Sequence, residues 1–502
     1  MNKTVITKTG KYIGHTLESG IYEFLGIPYA KVVQRWKPAE ELQPSDETFE
    51  AAECGPACWQ ETVPEEWEEI PPMSENCLSL NVWTADPDVK GKPVHVWIHG
   101  GCYMSGSNRK ECFGGIYCGE NYVAASPDIV YININYRVGI FGGIDLSKFD
   151  TTGEYEMSQN LQTLDQLAAL KWIHENVEAF GGDPNQVTIS GQSAGGMSVA
   201  TLMAIPEANK YFQRVICQST AMSDNFLKYR EDSARQIESF FEIAGVNSLQ
   251  ELLDMSPEQL RDYSIDYFYS QGPGDPGPYE QIWDCGIFSK NPVEDIRKGV
   301  AKGIDLMIGT VAGEFDTAGL NMTDEELREC GMSVFPDRID DAMMEQFISN
   351  YPERNRRMGY QDFWNDALLR MGAVTTADAA VQGGQNVYMY YMPFVPEGAT
   401  IRPQHCFEIP YTNMKKDNLA YMDFKSNEPV QGNHPSAKLE KELHGCWSNF
   451  VRRGNPNGDH ISVEWPKYNQ ENRTTAVVDH EWSIADGIRN KDTDLLLPLH
   501  IR

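Results

Sequence analysis

Positive charge is what this 502-residue chain has least of: 42 Lys and Arg stand against 73 Asp and Glu, a net charge of −31. A surface that acidic repels nucleic acid and anionic membranes, so neither is expected as a partner, while neutral or cationic small molecules are accepted. Long apolar runs are missing too. None approaches the roughly 20 residues of a membrane span, and the opening MNKTVITKTGKYIGHTLESG has no apolar core of a secretory signal. The eleven cysteines are an odd number, scattered, and without the CxxC pairs of a zinc site. A reduced, cytoplasmic protein without a metal follows, and the sequons at Asn2, Asn321 and Asn472 carry no weight without secretion. No internal repeat, low-complexity tract or flexible linker separates domains, so residues 1–502 read as a single domain.

Apolar residues make up 41% of the chain, enough to fill a large core. After an N-terminal hairpin around YEFLGIPYA, short apolar runs alternate with longer helical patterns. The runs are VHVWIH (94–99), IVYININY (129–136), VTIS (187–190), RVICQS (214–219), LMIGT (306–310) and VYMYYM (387–392). Near-continuous apolar runs suit strands buried on both faces, as in a central, mostly parallel sheet. Between two of them, Leu164, Leu167, Leu170, Ile173 and Val177 recur every three or four residues, predicting an amphipathic helix stopped by GGDP. Strand alternating with helix predicts an α/β class, a sheet flanked by helices. The helix-rich segments at about 225–300 and 325–380 read as insertions capping one end of the sheet.

One stretch carries chemistry: VTISGQSAGG, residues 187–196. A strand that turns at once into a helix while presenting one side chain needs small neighbours, and Gly191-Gln192-Ser193-Ala194-Gly195 fits that G-x-S-x-G elbow. A serine hydroxyl needs a base, an orienting acid and oxyanion donors. VWIHGGCYMSGS supplies a strand running into His99-Gly100-Gly101-Cys102, whose N–H groups suit an oxyanion hole together with the N–H after the nucleophile. With the chain order Ser, acid, His, the base falls late. His405 in PQHCFEIPY is well placed, with His434, His444, His460, His480 and His500 as later alternatives in polar stretches. Glu314 in LMIGTVAGEFDT follows a strand end, with Asp316 and Asp284 as competitors.

Taken in order, GIPYA, SENCLSLNVW, HGG, NYRVGIFGG, DQLAALKWIHENVEAFGGDPNQVTISGQSAGG, FQRVICQS, DCG, GTVAGE, HCFEIPY and GNPNG…WPKY make the chain resemble the type-B carboxylesterases, the cholinesterase-like family, nearly end to end. The resemblance implies an α/β-hydrolase fold whose helical insertions form an active-site gorge. By position it implies Ser193 as nucleophile, Glu314 as acid and His405 as base, with oxyanion donors on Gly101, Cys102 and Ala194. Gln192, where cholinesterases usually carry Glu, is closer to bacterial members. In animal relatives a choline-binding tryptophan sits in a disulfide-closed loop, matched here by Cys58 to Cys77, a strongly acidic stretch holding Trp59 and Trp67. Phe226, after QST, is a candidate for the acyl pocket or the core.

Three departures stand out. Asn76 replaces the usual Asp of EDCL, which predicts the loss of an ion pair. NLQTLDQ departs from N-x-G-L-x-D-Q, so packing before the helix is expected to differ. Cys102 replaces a third glycine, putting a Cβ and sulfur beside the oxyanion position and predicting poorer acceptance of bulky alcohol groups. The expectation is a serine carboxylesterase acting on small esters without metal or organic cofactor, as a monomer or small homo-oligomer. Against a non-catalytic adhesion or scaffold relative stand the three triad positions, all kept. Amide or thioester hydrolysis would use the same residues.

Overall fold

In a computed structural model, residues 2–62, 69–220, 222–224, 227–270, 279–396, 401–416 and 436–501 are described. The chain divides into two compact units.

The first unit is built on an antiparallel meander that becomes parallel. Strands β1 (Asn2–Thr7), β2 (Gly10–Thr16), β3 (Tyr22–Pro28) and β4 (Ser79–Thr84) pair antiparallel in that order. The next neighbours in the sheet are β6 (Val130–Ile134), β5 (Lys92–Ile98) and β7 (Gly182–Gln192). β5 runs parallel to both β6 and β7. Val94, Val96, Ile98, Val130, Ile132, Ile134, Val187 and Ile189 are all buried, so the apolar runs are what strands covered on both faces need. Within these strands Asn81 faces Asn133 and donates to its Oδ1 at 2.9 Å.

The helix expected after NLQTLDQ is α1 (Leu161–Asn176), and a short turn leads to Gly181, whose φ of +91° ends it. Its buried face is wider than the expected stripe, of which Leu170, Ile173 and Val177 are buried. Leu164 and Leu167 are half-buried, while Gln162, Thr163, Asp165 and Gln166 are buried. Each of three polar residues has a partner that explains this. Asp165 holds Arg137 (Nη2–Oδ1 2.6 Å), Gln166 donates to Ser198 Oγ (2.9 Å) and Gln162 donates to the Tyr279 carbonyl (2.8 Å). The altered start of the helix packs through Gln159 and Asn160, which bond the carbonyls of Glu280 and Ile282. At Asn76 the side chain accepts the Val32 N–H, and the ion pair is made next door, where Glu75 takes the Arg35 fork. Cys58 and Cys77 are buried thiols in this structure; a hydrogen bond to Cys58, together with burial, pushes the Cys77 thiol well above its ordinary pKa. Helices Arg230–Ala244, Leu249–Leu253 and Pro257–Ser270 occupy much of the 225–300 segment.

The second unit begins within β8 (Arg214–Gln218) and continues in the sheet order β8, β9 (Asp305–Val311), β10 (Val387–Met392), β11 (Thr474–Val477) and β12 (Ser483–Asp486). β9, β10 and β11 are parallel, and β12 closes antiparallel. The 325–380 segment is helical, with Asp324–Ser333, Asp341–Ser349, Arg356–Asn365 and Met371–Gln382. No helix among the described residues is long and apolar enough to cross a membrane.

Candidate active site

β7 ends at Gln192 and α2 (Ala194–Met203) begins two residues later, leaving Ser193 alone at the turn. Its φ of +59° and ψ of −126° lie where a non-glycine side chain is strained. The small neighbours are required by contact. A Cβ on Gly191 would stand 2.3 Å from the Gly195 carbonyl oxygen, and one on Gly195 would stand 2.2 Å from that of Ile98. The turn can therefore be this tight only with glycine at both positions. Met197 N–H bonds the Ser193 carbonyl at 2.8 Å, so helical bonding starts at the serine itself.

The loop after β5 lies against this elbow. A Cβ on Gly100 would meet the Gln192 carbonyl oxygen at 2.6 Å and Ser193 Cβ at 3.2 Å. Gly101, Cys102 and Tyr103 then take φ of +111°, +53° and +56° in succession. Two of these are non-glycine residues in left-handed conformation, and the loop is held in it from several sides. The Met104 and Ser105 N–H groups bond the Gly101 carbonyl, and Gly139 N–H bonds that of Tyr103. Gln60 bonds both the N–H (2.7 Å) and the carbonyl (3.0 Å) of Gly106. His99 stacks on Tyr136 at 4.3 Å, and burial pushes its imidazole pKa down to about 4, so it is a neutral prop. Ser193, Ala194 and the loop of Gly101 and Cys102 are thus brought together, and Cys102 is exposed.

In the second unit the structure brings Glu314 and His405 together. Glu314 follows β9, its side chain 1% exposed, and His405 Nδ1 lies 2.6 Å from its Oε2. The other carboxylate oxygen accepts from Ser219 Oγ at 2.7 Å and from the Val311 N–H at 3.0 Å. Three hydrogen-bond contacts fix the plane of the carboxylate, and the imidazole it holds is fixed with it. The Phe315 ring stacks on His405 at 5.9 Å and on Trp364 at 4.7 Å. Glu408 is fully buried one turn on, accepting from Gln218 Nε2 and Tyr390 OH, both at 3.1 Å. Burial, and then the charge of Glu314, raise its carboxyl pKa.

The competing residues are engaged elsewhere. Asp316 pairs with Arg402, and Asp284 is exposed in the first unit. His444, His460 and His480 hold backbone carbonyls, and His500 contacts Ser223 Oγ. His434, Trp67 and Phe226 lie outside the described residues. Trp59 is half-buried, with Arg261 5.9 Å from its ring. Among the described residues, no group of three or more His, Cys, Asp or Glu could hold a metal ion. Sequence reasoning did not single out Ser219, Glu408 or Phe315. The signals available were a polar residue ending the buried β8 run and an acid at three residues from His405.

Known proteins resemble this chain along almost its whole length. A model of the carboxylesterase family matches residues 2–496. The para-nitrobenzyl esterase of Bacillus subtilis is 30% identical over 99% of both chains. The phenmedipham hydrolase of Pseudarthrobacter oxydans is 28% identical over 96% of both. Among solved structures, a carboxylesterase of Geobacillus stearothermophilus superposes with a TM-score of 0.84 at 28% identity, covering 98% of this chain and 99% of its own. These neighbours have the α/β-hydrolase fold, as does this chain.

Proposed function

The chain belongs to the carboxylesterase family and is a carboxylic-ester hydrolase, and from that premise we propose that it hydrolyses small esters through an acyl-enzyme on Ser193, with His405 as base and Glu314 as its orienting acid. The observation that carries the reading is the strained turn of Ser193 between β7 and α2, hemmed in by Gly191 and Gly195. A backbone strain of this size, of order 1–3 kcal/mol, persists where surrounding structure enforces it, and such places cluster at functional sites. The Glu314–His405 pair supports the rest.

With Nδ1 committed to Glu314, His405 Nε2 takes the Ser193 proton as Oγ attacks the ester carbonyl carbon. Negative charge develops on the carbonyl oxygen, and the N–H groups of Gly101, Cys102 and Ala194 are the donors we assign to it. The imidazolium then protonates the departing alcohol. Water repeats the sequence on the acyl-enzyme, returning the proton to Ser193 and releasing the acid. Glu314 keeps its hold on Nδ1 throughout and balances the imidazolium.

The family match running from residue 2 to 496 supports a single catalytic domain, with the helical segments as insertions in it. A cytoplasmic bacterial enzyme, working as a monomer or small homo-oligomer apart from nucleic acid and membranes, completes the reading.

The test is hydrolysis of p-nitrophenyl acetate, butyrate and octanoate by the parent and by Ser193→Ala. The variant is expected to lose several orders of magnitude in kcat. Hydrolysis that persists in Ser193→Ala, or an intact folded parent with no activity on any of the three, would overturn the assignment.

A further inference from the structure

Beside the Glu314–His405 hydrogen bond lies an ion pair that the ester reaction does not consume. Arg402 presents its guanidinium fork to Asp316, with Nε 2.6 Å from Oδ2 and Nη2 2.8 Å from Oδ1. Asp316 is two residues after Glu314, and Arg402 three before His405. We propose that Arg402 and Asp316 are positioning residues for His405, locking the loop that carries the acid to the loop that carries the base. This rests on the reading of His405 as the base.

The two loops leave β9 and β10, and among their described residues no strand ladder holds them in register. They are joined instead by local bonds. Gly313 N–H bonds the Pro403 carbonyl at 3.0 Å, and His405 N–H bonds that of Glu314 at 3.1 Å. Thr317 Oγ1 bonds the Gln404 side chain. The Arg402 fork spans all of these, and a planar bidentate pair sets angle as well as distance. Its closeness is built into the sequence, because a Cβ on Gly313 would lie 2.8 Å from both Arg402 Cβ and Asp316 Oδ2.

A second route runs through the aromatic plate. Asn365 donates to Asp316 Oδ1 at 3.1 Å and accepts the Phe315 N–H at 2.8 Å, so Asp316 also fixes the residue whose ring stacks on the His405 imidazole. The far end of Arg402 is anchored in turn. Nη1 meets Asp362 Oδ1 at 2.5 Å; Asp362 also faces Arg354 (3.1 Å) and Arg489 (3.4 Å). Beyond them, Arg354 pairs with Asp492 and Arg489 with Asp366. Buried charges of this kind are weak contributors to stability compared with apolar packing, but they specify geometry. The place where this cluster reaches furthest towards the chemistry is the pair that brackets Glu314 and His405.

The experiment compares the parent with Asp316→Asn, Arg402→Gln and Arg402→Lys. Activity is expressed per active site, counted by the p-nitrophenol burst or by labelling with a fluorophosphonate. Positioning predicts that Asp316→Asn and Arg402→Gln lose about 10–100-fold in kcat per titrated site with KM within about twofold, since sub-ångström misplacement of a base has costs on that scale. Arg402→Lys keeps the charge but not the fork and should recover part of the loss. It also preserves the charge balance of the buried cluster, so it carries the test if Arg402→Gln does not fold. Serine-dependent parent activity with unchanged kcat per site in the variants, the loss appearing only as fewer titratable sites, would overturn the positioning role and leave the esterase reading standing. Activity surviving Ser193→Ala would instead overturn the assignment of Ser193 as nucleophile, and this role with it.

Discussion

Cys102 occupies a backbone conformation that suits glycine, with φ at +53° between Gly101 and Tyr103. A left-handed conformation costs a side-chain-bearing residue on the order of 1 kcal/mol, and here that cost sits in the loop assigned to the oxyanion. Cys102→Gly is therefore expected to raise stability by up to about 1 kcal/mol, partly offset by the freer unfolded chain. It should also raise kcat/KM for a tert-butyl ester relative to the n-butyl ester of the same acid, because the Cβ and sulfur are gone. An unchanged ratio would show that the thiol does not bound the alcohol side. At this scale Ser193 was legible because its requirement for glycine neighbours is written into five consecutive residues. From the residues alone Glu314 and His405 could be ranked but not separated from Asp316 or the later histidines, since nothing local tells which carboxylate meets which imidazole; only the family resemblance chose between them. Ser219 and Phe315 act through contacts between distant loops; the polar end of the β8 run is the one local hint of the first, and no local pattern marks the second.

The strands were legible as elements because burial on both faces leaves a continuous apolar signature: each of the six predicted runs coincides with a strand, three of them (94–99, 129–136 and 214–219) extending one to three residues beyond it. Helix α1 was legible in extent and in part of its orientation, with Leu170, Ile173 and Val177 buried and Leu164 and Leu167 only half-buried. Its pattern of leucines suggested one apolar face, yet the residues it buries include Asp165, Gln162 and Gln166. A helix packed on several sides buries polar groups wherever another element supplies a partner, and those partners are remote in sequence. Arg137 is the strongest of them, donating to Asp165 from Nε (2.7 Å), Nη2 (2.6 Å) and its own backbone N–H (3.2 Å). Both side chains are essentially inaccessible, 1% and 0% exposed. Removing one partner leaves a buried charge uncompensated, so Arg137→Met should cost about 3–5 kcal/mol. The double variant Arg137→Met with Asp165→Leu should recover most of that loss in urea unfolding. A double variant no more stable than the single would mean that α1 depends on the ion pair for its docking and not merely on charge balance.

Across the whole molecule, acidification sets two families of buried groups against each other. Burial pushes the His99 imidazole pKa down to about 4 and that of His500 to about 3, so both are neutral when folded. The unfolded chain protonates each near its ordinary value of about 6.5. Between that pH and the folded value the unfolded state binds more protons, so stability falls as pH falls, by about 2 kcal/mol per histidine at pH 5. Glu408, Asp366, Asp378 and Glu442 act in the opposite sense: burial raises their carboxyl pKa values, so protonation favours the folded state as pH falls. The net charge of −31 does not decide between them over pH 7 to 5, because ordinary carboxylates, with pKa near 4, remain ionised there. The histidine contribution can be isolated by substitution away from the catalytic residues. His500 contacts Ser223 Oγ and the edge of Phe335, so His500→Gln should be less stable than the parent at pH 7 through lost packing. Because glutamine does not titrate, the gap between the two should close by about 2 kcal/mol on going to pH 5. Urea unfolding of both proteins at the two pH values reads this directly, and a gap that stays constant would mean that His500 is not held neutral by its burial.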